Sequence, residues 1–294
     1  MKRKPRGNRV MTLIIVFICV ALVFAALWGI VTGIAKLMHY GDNTTIHQEE
    51  AEPEEVQTEV PVEEEAVLPK NSYSADGFYT IDGIRYYHGG DWEGVPGVDV
   101  SSYQPTIDWE AVKASGIEFA MIRVGYRGYV SGELVLDETF LQNMEGAVNA
   151  GLDVGVYFFS QALNVEEAVE EAEFVLEQLE GRSLQYPIVF DWEEVQANAR
   201  TDEMNMLMLT SCALAFCLTV EEAGYEGGIY FNQAYGYSQL NLVSLQDFEF
   251  WLAEYDEFPS FAYDSQMWQY TDSGTVPGIE GPVDLNVAFR KRAE

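Results

Sequence analysis

The sequence predicts an α/β protein built on a closed barrel of eight strands, and three observations predict it. Short apolar runs recur at 97–101, 118–124, 153–159, 186–191, 227–231, 249–254, 265–270 and 282–287. Helical patterns fill the early gaps at 108–115, 137–150, 165–180 and 201–223, with Gly116, Gly151, Gly181 and Gly224 where C-terminal caps belong. After residue 231 only one more helical stretch, about 234–247, fits, and the later gaps are short. Strands alternating with helices call for a parallel sheet, because crossover helices cover its faces, and eight such strands close into a barrel. The expected domain therefore spans 97–294, with about five helices and with strands six to eight joined more directly.

The preceding 96 residues divide by composition. Residues 1–9 hold Lys2, Arg3, Lys4, Arg6 and Arg9 and no acid, and residues 10–35 carry no charge. A helix over 10–35, at a rise of ~1.5 Å per residue, covers ~39 Å, enough for a tilted crossing of a ~30 Å hydrocarbon slab. The basic cluster predicts a cytoplasmic tail, so the bulk of the chain lies outside the plasma membrane. The alternative is a signal peptide cut near Gly33-Ile34-Ala35, giving a secreted protein, although such apolar regions usually run only ~7–15 residues. In 36–72, nine Glu fall between Glu49 and Glu65, interleaved with Pro53 and Pro61, and read as an extended, disordered acidic linker. Residues 73–96 carry two aromatic-rich runs around Asp82-Gly83, the signal for a short β-hairpin with a primed turn. That hairpin is a small accessory element or a flap packed on the main domain, and plain packing is the favoured reading.

Charge and missing residue types narrow the chemistry. The net charge is -32, and residues 97–294 hold 34 acids against 8 bases. Such a surface repels phosphate backbones, which argues against nucleic acid as a partner. Cys212 and Cys217 lie five apart on one predicted helix and face different directions, so no disulfide is expected between them. All three His (His39, His47 and His88) precede residue 97. That excludes Ser-His-Asp and Cys-His arrangements from the barrel, and imidazole metal sites with them. Lys113 and Lys291 read as surface positions, so a Schiff-base lysine is not expected either. Proton transfer falls to Asp, Glu and Tyr, with no metal and no cofactor.

Barrel enzymes carry their reactive groups at the C-terminal ends of strands. Those ends offer Asp99 in "GVDVSSYQ", Asp191 and Glu193 in "YPIVFDWEEV", and Asp284 in "GPVDLN". Residues two apart on a strand share a face, ~6–7 Å apart, so Asp191 and Glu193 point together into the mouth. Gathered acids repel, so at least one keeps its proton near neutral pH, and a neutral acid beside a carboxylate is what glycosidic cleavage needs. Each acid also has a plainer reading. Asp99 would cap a helix near Ser101, Asp284 would order a turn with Asn286, and the 191/193 pair would be a solvated strand end. Glu194 is expected to be solvated. Among the aromatics near strand ends, Tyr103, Tyr126, Tyr157, Tyr230, Tyr255 and Trp268, with Gln269, are the candidate sugar contacts, because ring faces stack on sugars. Trp251 reads as barrel filling. Arg123 is expected to pair with one of the acids and not to bind substrate.

The strings "GVDVSSYQPTIDWEAVKASGIEFAMIRVGYRGY", "AGLDVGVYFFSQA", "YPIVFDWE", "GGIYFN", "FWLAEY" and "MWQYTDSGTVPGIEGPVDLN" resemble, in order, glycoside hydrolase family 25, the N-acetylmuramidase lysozymes, over about residues 97–289. The resemblance implies a flattened, TIM-like (β/α)5(β)3 barrel without a cofactor. It implies hydrolysis of the β-1,4 bond between N-acetylmuramic acid and N-acetylglucosamine in peptidoglycan glycan strands. Glu193 then corresponds to the general acid/base, Asp191 to the carboxylate that orients the N-acetyl group or stabilises the cationic intermediate, and Asp99 and Asp284 to supporting acids. A direct carboxylate nucleophile and the substrate's own acetamido oxygen both stay open, and the second is favoured because that group neighbours the reacting carbon. Phe158 stands where many members carry His after the strand-three tyrosine, which puts subsite contacts in question, and Trp192 is expected to point behind the site. The rival class is an inactive peptidoglycan-binding scaffold serving cell-wall assembly partners. Hydrolysis of another polysaccharide, such as chitin, is a third.

Overall fold

The computed structural model describes residues 68–195 and 197–292. The expected tail, the span at 10–35 and most of the linker lie outside them. Among the described residues no helix is long and apolar enough to cross a membrane.

Eleven strands form, β1 (Phe78–Ile81), β2 (Ile84–Gly89), β3 (Trp92–Val100), β4 (Phe119–Arg127), β5 (Leu134–Leu136), β6 (Asp153–Ser160), β7 (Ile188–Trp192), β8 (Gly227–Asn232), β9 (Glu249–Ala253), β10 (Met267–Gly274) and β11 (Val283–Lys291). Eight of them close in the order β3-β4-β6-β7-β8-β9-β10-β11 and back to β3, and each coincides with an apolar run of the sequence. The strands from β3 to β10 run parallel, whereas β11 is antiparallel to both neighbours. The link 275–282 is too short for the crossover that a parallel pairing requires.

The helices are α1 (Trp109–Ala114), α2 (Phe140–Asn149), α3 (Val165–Leu179), α4 (Met206–Glu222) and α5 (Gln233–Ser238). The four expected cap glycines adopt φ of 77–101°, which a side chain would resist. Two helices are shorter than the pattern predicts. Asn205 accepts from the Met208 N–H and starts α4 there, leaving 201–205 as turn. The stretch 234–247 breaks into α5 and a single 3-10 turn, Leu242–Leu245.

Inside the barrel, Phe119, Met121, Tyr157, Val189, Trp251 and Met267 form one apolar plug. Gly97 admits it, since a Cβ there would lie 2.3 Å from the Phe119 ring. Outside, α2 and α3 cover β4 and β6, and α4 covers β7 and β8. The outer faces of β10 and β11 have no such helix, and the hairpin supplies the cover. Its turn is primed, with Asp82 at φ 50° and Gly83 at φ 84°. Tyr73 stacks on Phe289 at 3.7 Å between ring centres, and Phe78 meets Trp268 edge-on at 5.2 Å. The hairpin is therefore packed structure and not a free flap. The expected boundary at 97 falls inside β3, which pairs with β2 at one end (Tyr87↔Gly94) and with β4 at the other (Gly97↔Phe119).

Candidate active site

Strand parity delivers the acids. Asp99 on β3, Asp191 on β7 and Asp284 on β11 face the barrel axis above the apolar plug, and Glu193 follows one residue past the end of β7. All four line one cleft of about 500 Å³ at the C-terminal ends of the parallel strands. The plainer readings of Asp99 as a helix cap and Asp284 as a turn residue do not hold.

Asp99 and Asp284 are directly opposed in the β3–β11 ladder. The buried Asp99 Oδ2 accepts from Gln269 Nε2 (2.9 Å) and from Asn286 Nδ2 (2.7 Å). Asn286 is itself fixed by the Trp251 indole N–H, which donates to its Oδ1 at 2.8 Å. Burial raises the Asp99 pKa, and the Asn286, Gln269 and Asp284 hydrogen bonds oppose the rise. Asp284 is pushed up to about 9 by burial and then by the Asp99 charge and the hydrogen bond the two share. Both pKa values are raised, so the pair retains a proton at neutral pH.

Asp191 is buried, and its Oδ1 has no hydrogen-bond partner among the described residues. Burial, then the Glu193 and Asp99 charges, raise its pKa well above the usual range. Glu193 stands exposed at the rim, yet the cleft wall crowds its carboxyl enough that desolvation, followed by Asp284, raises its pKa too. Burial and the neighbouring carboxyls thus favour the protonated form of both. Glu193 is the member within reach of an incoming ligand.

Tyr103, Tyr126, Tyr157, Tyr230, Tyr255 and Gln269 all line the cleft. A register shift between Arg123 and Gly125 changes strand parity, so Arg123 and Tyr126 both face inward. Tyr230 and Tyr255 hydroxyls each donate to Gln269 Oε1 at 2.9 Å, which aims its amide N–H at Asp99. Trp268 is a correction. It faces outward beneath Phe78 and Arg85, is fully buried, and donates to the Glu254 carbonyl, so it touches no sugar. Arg123 is a second correction. It pairs with none of the four acids but with Asp137 at 2.8 Å. Burial works to raise the Asp137 pKa, and bonds from Thr139 and Ser102 with the Arg123 charge overcome it and hold the carboxyl below the usual range. Trp192 packs outward against Tyr235, and Phe158 packs outward against Phe174, so its departure from the family pattern leaves the cleft lining unchanged. Glu194 is exposed and accepts from the Tyr235 hydroxyl.

Residues 98–279, well over half of the chain, match the family described as glycosyl hydrolases family 25. The chain belongs to glycosyl hydrolase family 25. Its barrel is accordingly a glycoside hydrolase domain of lysozyme-type fold. The family 25 domain is 30% identical over 191 residues to an autolytic lysozyme of Clostridium acetobutylicum, covering 65% of this chain and 54% of that protein. The chain therefore spans about half the length of that relative. It is 27% identical over 213 residues to Lysozyme M1 of Streptomyces globisporus, covering 67% of this chain and 68% of that one. A solved family 25 glycosyl hydrolase from Bacillus anthracis superposes with a TM-score of 0.57 at 25% identity, over 71% of this chain and 94% of its own.

Three buried residues behind the lining of this family 25 cleft were not singled out as site residues from the sequence. Asn286 carried a signal, since it lies two residues from Asp284 and shares its face. Asp137 carried none, because it follows β5 and reaches Arg123 only through the fold. Gln161, fully buried just past β6, donates to the Glu193 carbonyl at 3.1 Å and shows nothing in sequence that distinguishes it from any strand-end amide.

Proposed function

We propose that this family 25 domain is a muramidase that hydrolyses the β-1,4 bond between N-acetylmuramic acid and N-acetylglucosamine in peptidoglycan. One observation carries the reading: four carboxyls meet in one cleft, with burial holding a proton on the Asp99–Asp284 pair. Glu193, raised and at the rim, protonates the glycosidic oxygen as the bond breaks and later takes a proton from the attacking water. The unpartnered Asp191 Oδ1 accepts the acetamido N–H and turns the acetamido oxygen toward the anomeric carbon. The Asp99–Asp284 pair contributes one negative charge against the oxocarbenium-like transition state. Tyr103, at 82% exposure on the rim, offers a stacking face to a sugar ring. The lysozymes to which the chain is similar support the same substrate class.

The uncharged run 10–35 behind five basic residues supports a single-pass location, with the hydrolase domain outside and the acidic linker spacing it from the membrane. Protease treatment of intact cells that removes the barrel and spares a short membrane fragment is the expected outcome. Recovery of a chain lacking 1–35 from the medium would favour the cleaved signal.

The decisive assay incubates the purified chain with cell-wall suspensions and follows new muramic acid reducing ends. Glu193→Gln should lower the rate by about 10³-fold or more while preserving the fold, as loss of a general acid does. Wild-type protein that binds walls but releases no reducing ends at any pH would favour the scaffold. Cleavage of chitin oligomers in preference to walls would reassign the substrate.

A further inference from the structure

Glu193 is the first residue of an irregular segment that runs from the end of β7 at Trp192 to the start of α4 at Met206. Its carboxyl has no hydrogen-bond partner among the described residues, so its direction depends on how its backbone is held. The Gln161 side chain holds it. Gln161 Nε2 donates to the Glu193 carbonyl (3.1 Å) and to the Ser160 carbonyl (2.9 Å), while its Oε1 accepts from the Thr201 hydroxyl (2.7 Å). One amide thus joins the end of β6, the backbone of Glu193 and the far end of the segment that Glu193 begins. With both Nε2 hydrogens and Oε1 engaged and no solvent exposure, the side chain has no alternative arrangement that keeps its bonds.

The amide is itself braced. Glu171 on α3 is fully buried and accepts from the Arg127 Nε (2.7 Å), the Ser160 hydroxyl (2.6 Å) and the Gln161 backbone N–H (3.4 Å). Arg200, from the same segment as Thr201, donates to the Gln161 carbonyl (3.3 Å) and to Glu167 on α3 (2.7 Å). Arg127 also spans to Glu170 at 2.8 Å. Glu171 and Arg200 therefore hold the Gln161 backbone, Arg127, Glu167 and Glu170 pair with those two groups and with each other behind the strand ends, and none of the five lines the cleft. An arrangement that only stabilised the fold would have no need to end on the carbonyl of the proton donor.

We propose that Gln161 is the positioning residue for Glu193, fixing the backbone from which the acid reaches over the cleft. This rests on the reading of Glu193 as proton donor. A misplacement of the order of 1 Å in a reacting group costs up to about 100-fold in rate, so loss of this tie should appear in kcat and not in KM.

The test uses the full chain and three variants on cell-wall substrate. Gln161→Met keeps the volume and removes both donors. It should lower kcat by about 10- to 100-fold with KM within about two-fold, and shift the alkaline limb of the rate profile that reports Glu193. Gln161→Glu retains one O–H donor only while protonated. It should approach wild-type kcat in acid and fall away as the new carboxyl ionises among Glu171, Glu167 and the Glu193 carboxyl, against Arg127 and Arg200. Thr201→Val removes only the bond on the far side of the amide and should leave kcat within about three-fold, which separates positioning from general loosening. If Gln161→Met does not fold, the pH-dependent recovery in Gln161→Glu decides. An active wild type whose two Gln161 variants match it in kcat and in the alkaline limb overturns the proposal. An inactive wild type overturns the muramidase reading instead.

Discussion

Asp284 faces Asp99 across the antiparallel β11–β3 ladder, and the two carboxyls share one proton. Two ionised carboxylates in register would repel at close range. Burial favours neutrality, and the donors collected by Asp99 decide which member stays charged. The result is a pair that keeps a proton on the side of the barrel opposite Asp191 and Glu193.

Asp284→Asn keeps an N–H donor toward Asp99 and removes the titration. The variant should melt higher than wild type above pH 8, where Asp284 in the parent begins to ionise, and retain measurable wall hydrolysis. Asp99→Asn instead sets an amide against the Gln269 and Asn286 donors and removes the charge, and should lower kcat by about 10²-fold or more. Thermal melts and initial rates on the two variants check both.

Stability should be greatest in mild acid. Asp284 rises from 3.8 to about 9, and Glu171 and Glu249 each rise from 4.5 to about 7, with burial the leading cause in all three. A carboxyl whose folded pKa is raised binds its proton more tightly when folded. Its stabilisation is whole below the unfolded pKa and is lost as pH climbs through the folded one. Asp137 and Glu167 are lowered and act in the opposite sense, failing as pH falls below the ordinary carboxylate range. Melting temperature should peak near pH 4–5, decline most steeply between about 5 and 7, where all three hold a proton only when folded, fall more slowly to about 9, and level off above. A peak on the alkaline side would contradict the raised values.

The hairpin should be required for folding. A chain beginning at 97 exposes Trp268 and Phe289 and cuts β3 in half, so it should aggregate or melt far below a chain beginning at 68. Within the intact chain, Tyr73→Ala removes the ring stacked on Phe289 at 3.7 Å and a hydroxyl bonded to the Ser265 carbonyl. A loss of about 3–5 kcal/mol by chemical denaturation is expected.

Asp137→Ala should cost about 3–5 kcal/mol, because it leaves Arg123 without its partner in the cleft wall. The Arg123 guanidinium lies 5.4 Å from the Tyr103 ring centre and 5.5 Å from that of Tyr126, so both rings should also lose order. Denaturant midpoints give the first effect, and weaker binding of sugar oligomers the second.

Much of this molecule was legible in one dimension. All eight barrel strands, the four glycine caps, the primed hairpin turn and the four strand-end acids follow from local rules. A strand's parity and a helix's cap are set by neighbours a few residues away. Absence of His beyond residue 88 excluded whole classes of chemistry without reference to any structure. The reading failed where a partner lies far along the chain. The sequence places Trp268 at a strand end, as a sugar contact would be, and only the hairpin some 190 residues earlier decides that its ring lies buried on the outer face of the barrel.

The sequence by itself thus determined the repeating elements, the acidic character of the cleft and the residue types available for proton transfer, because these depend on composition and short-range periodicity. The tertiary structure alone decided which acids are buried together, which cation meets which carboxylate, and which amide bonds the Glu193 carbonyl. Those outcomes depend on burial and on distances of a few ångströms between residues from different strands, and neither quantity is written in the order of the chain.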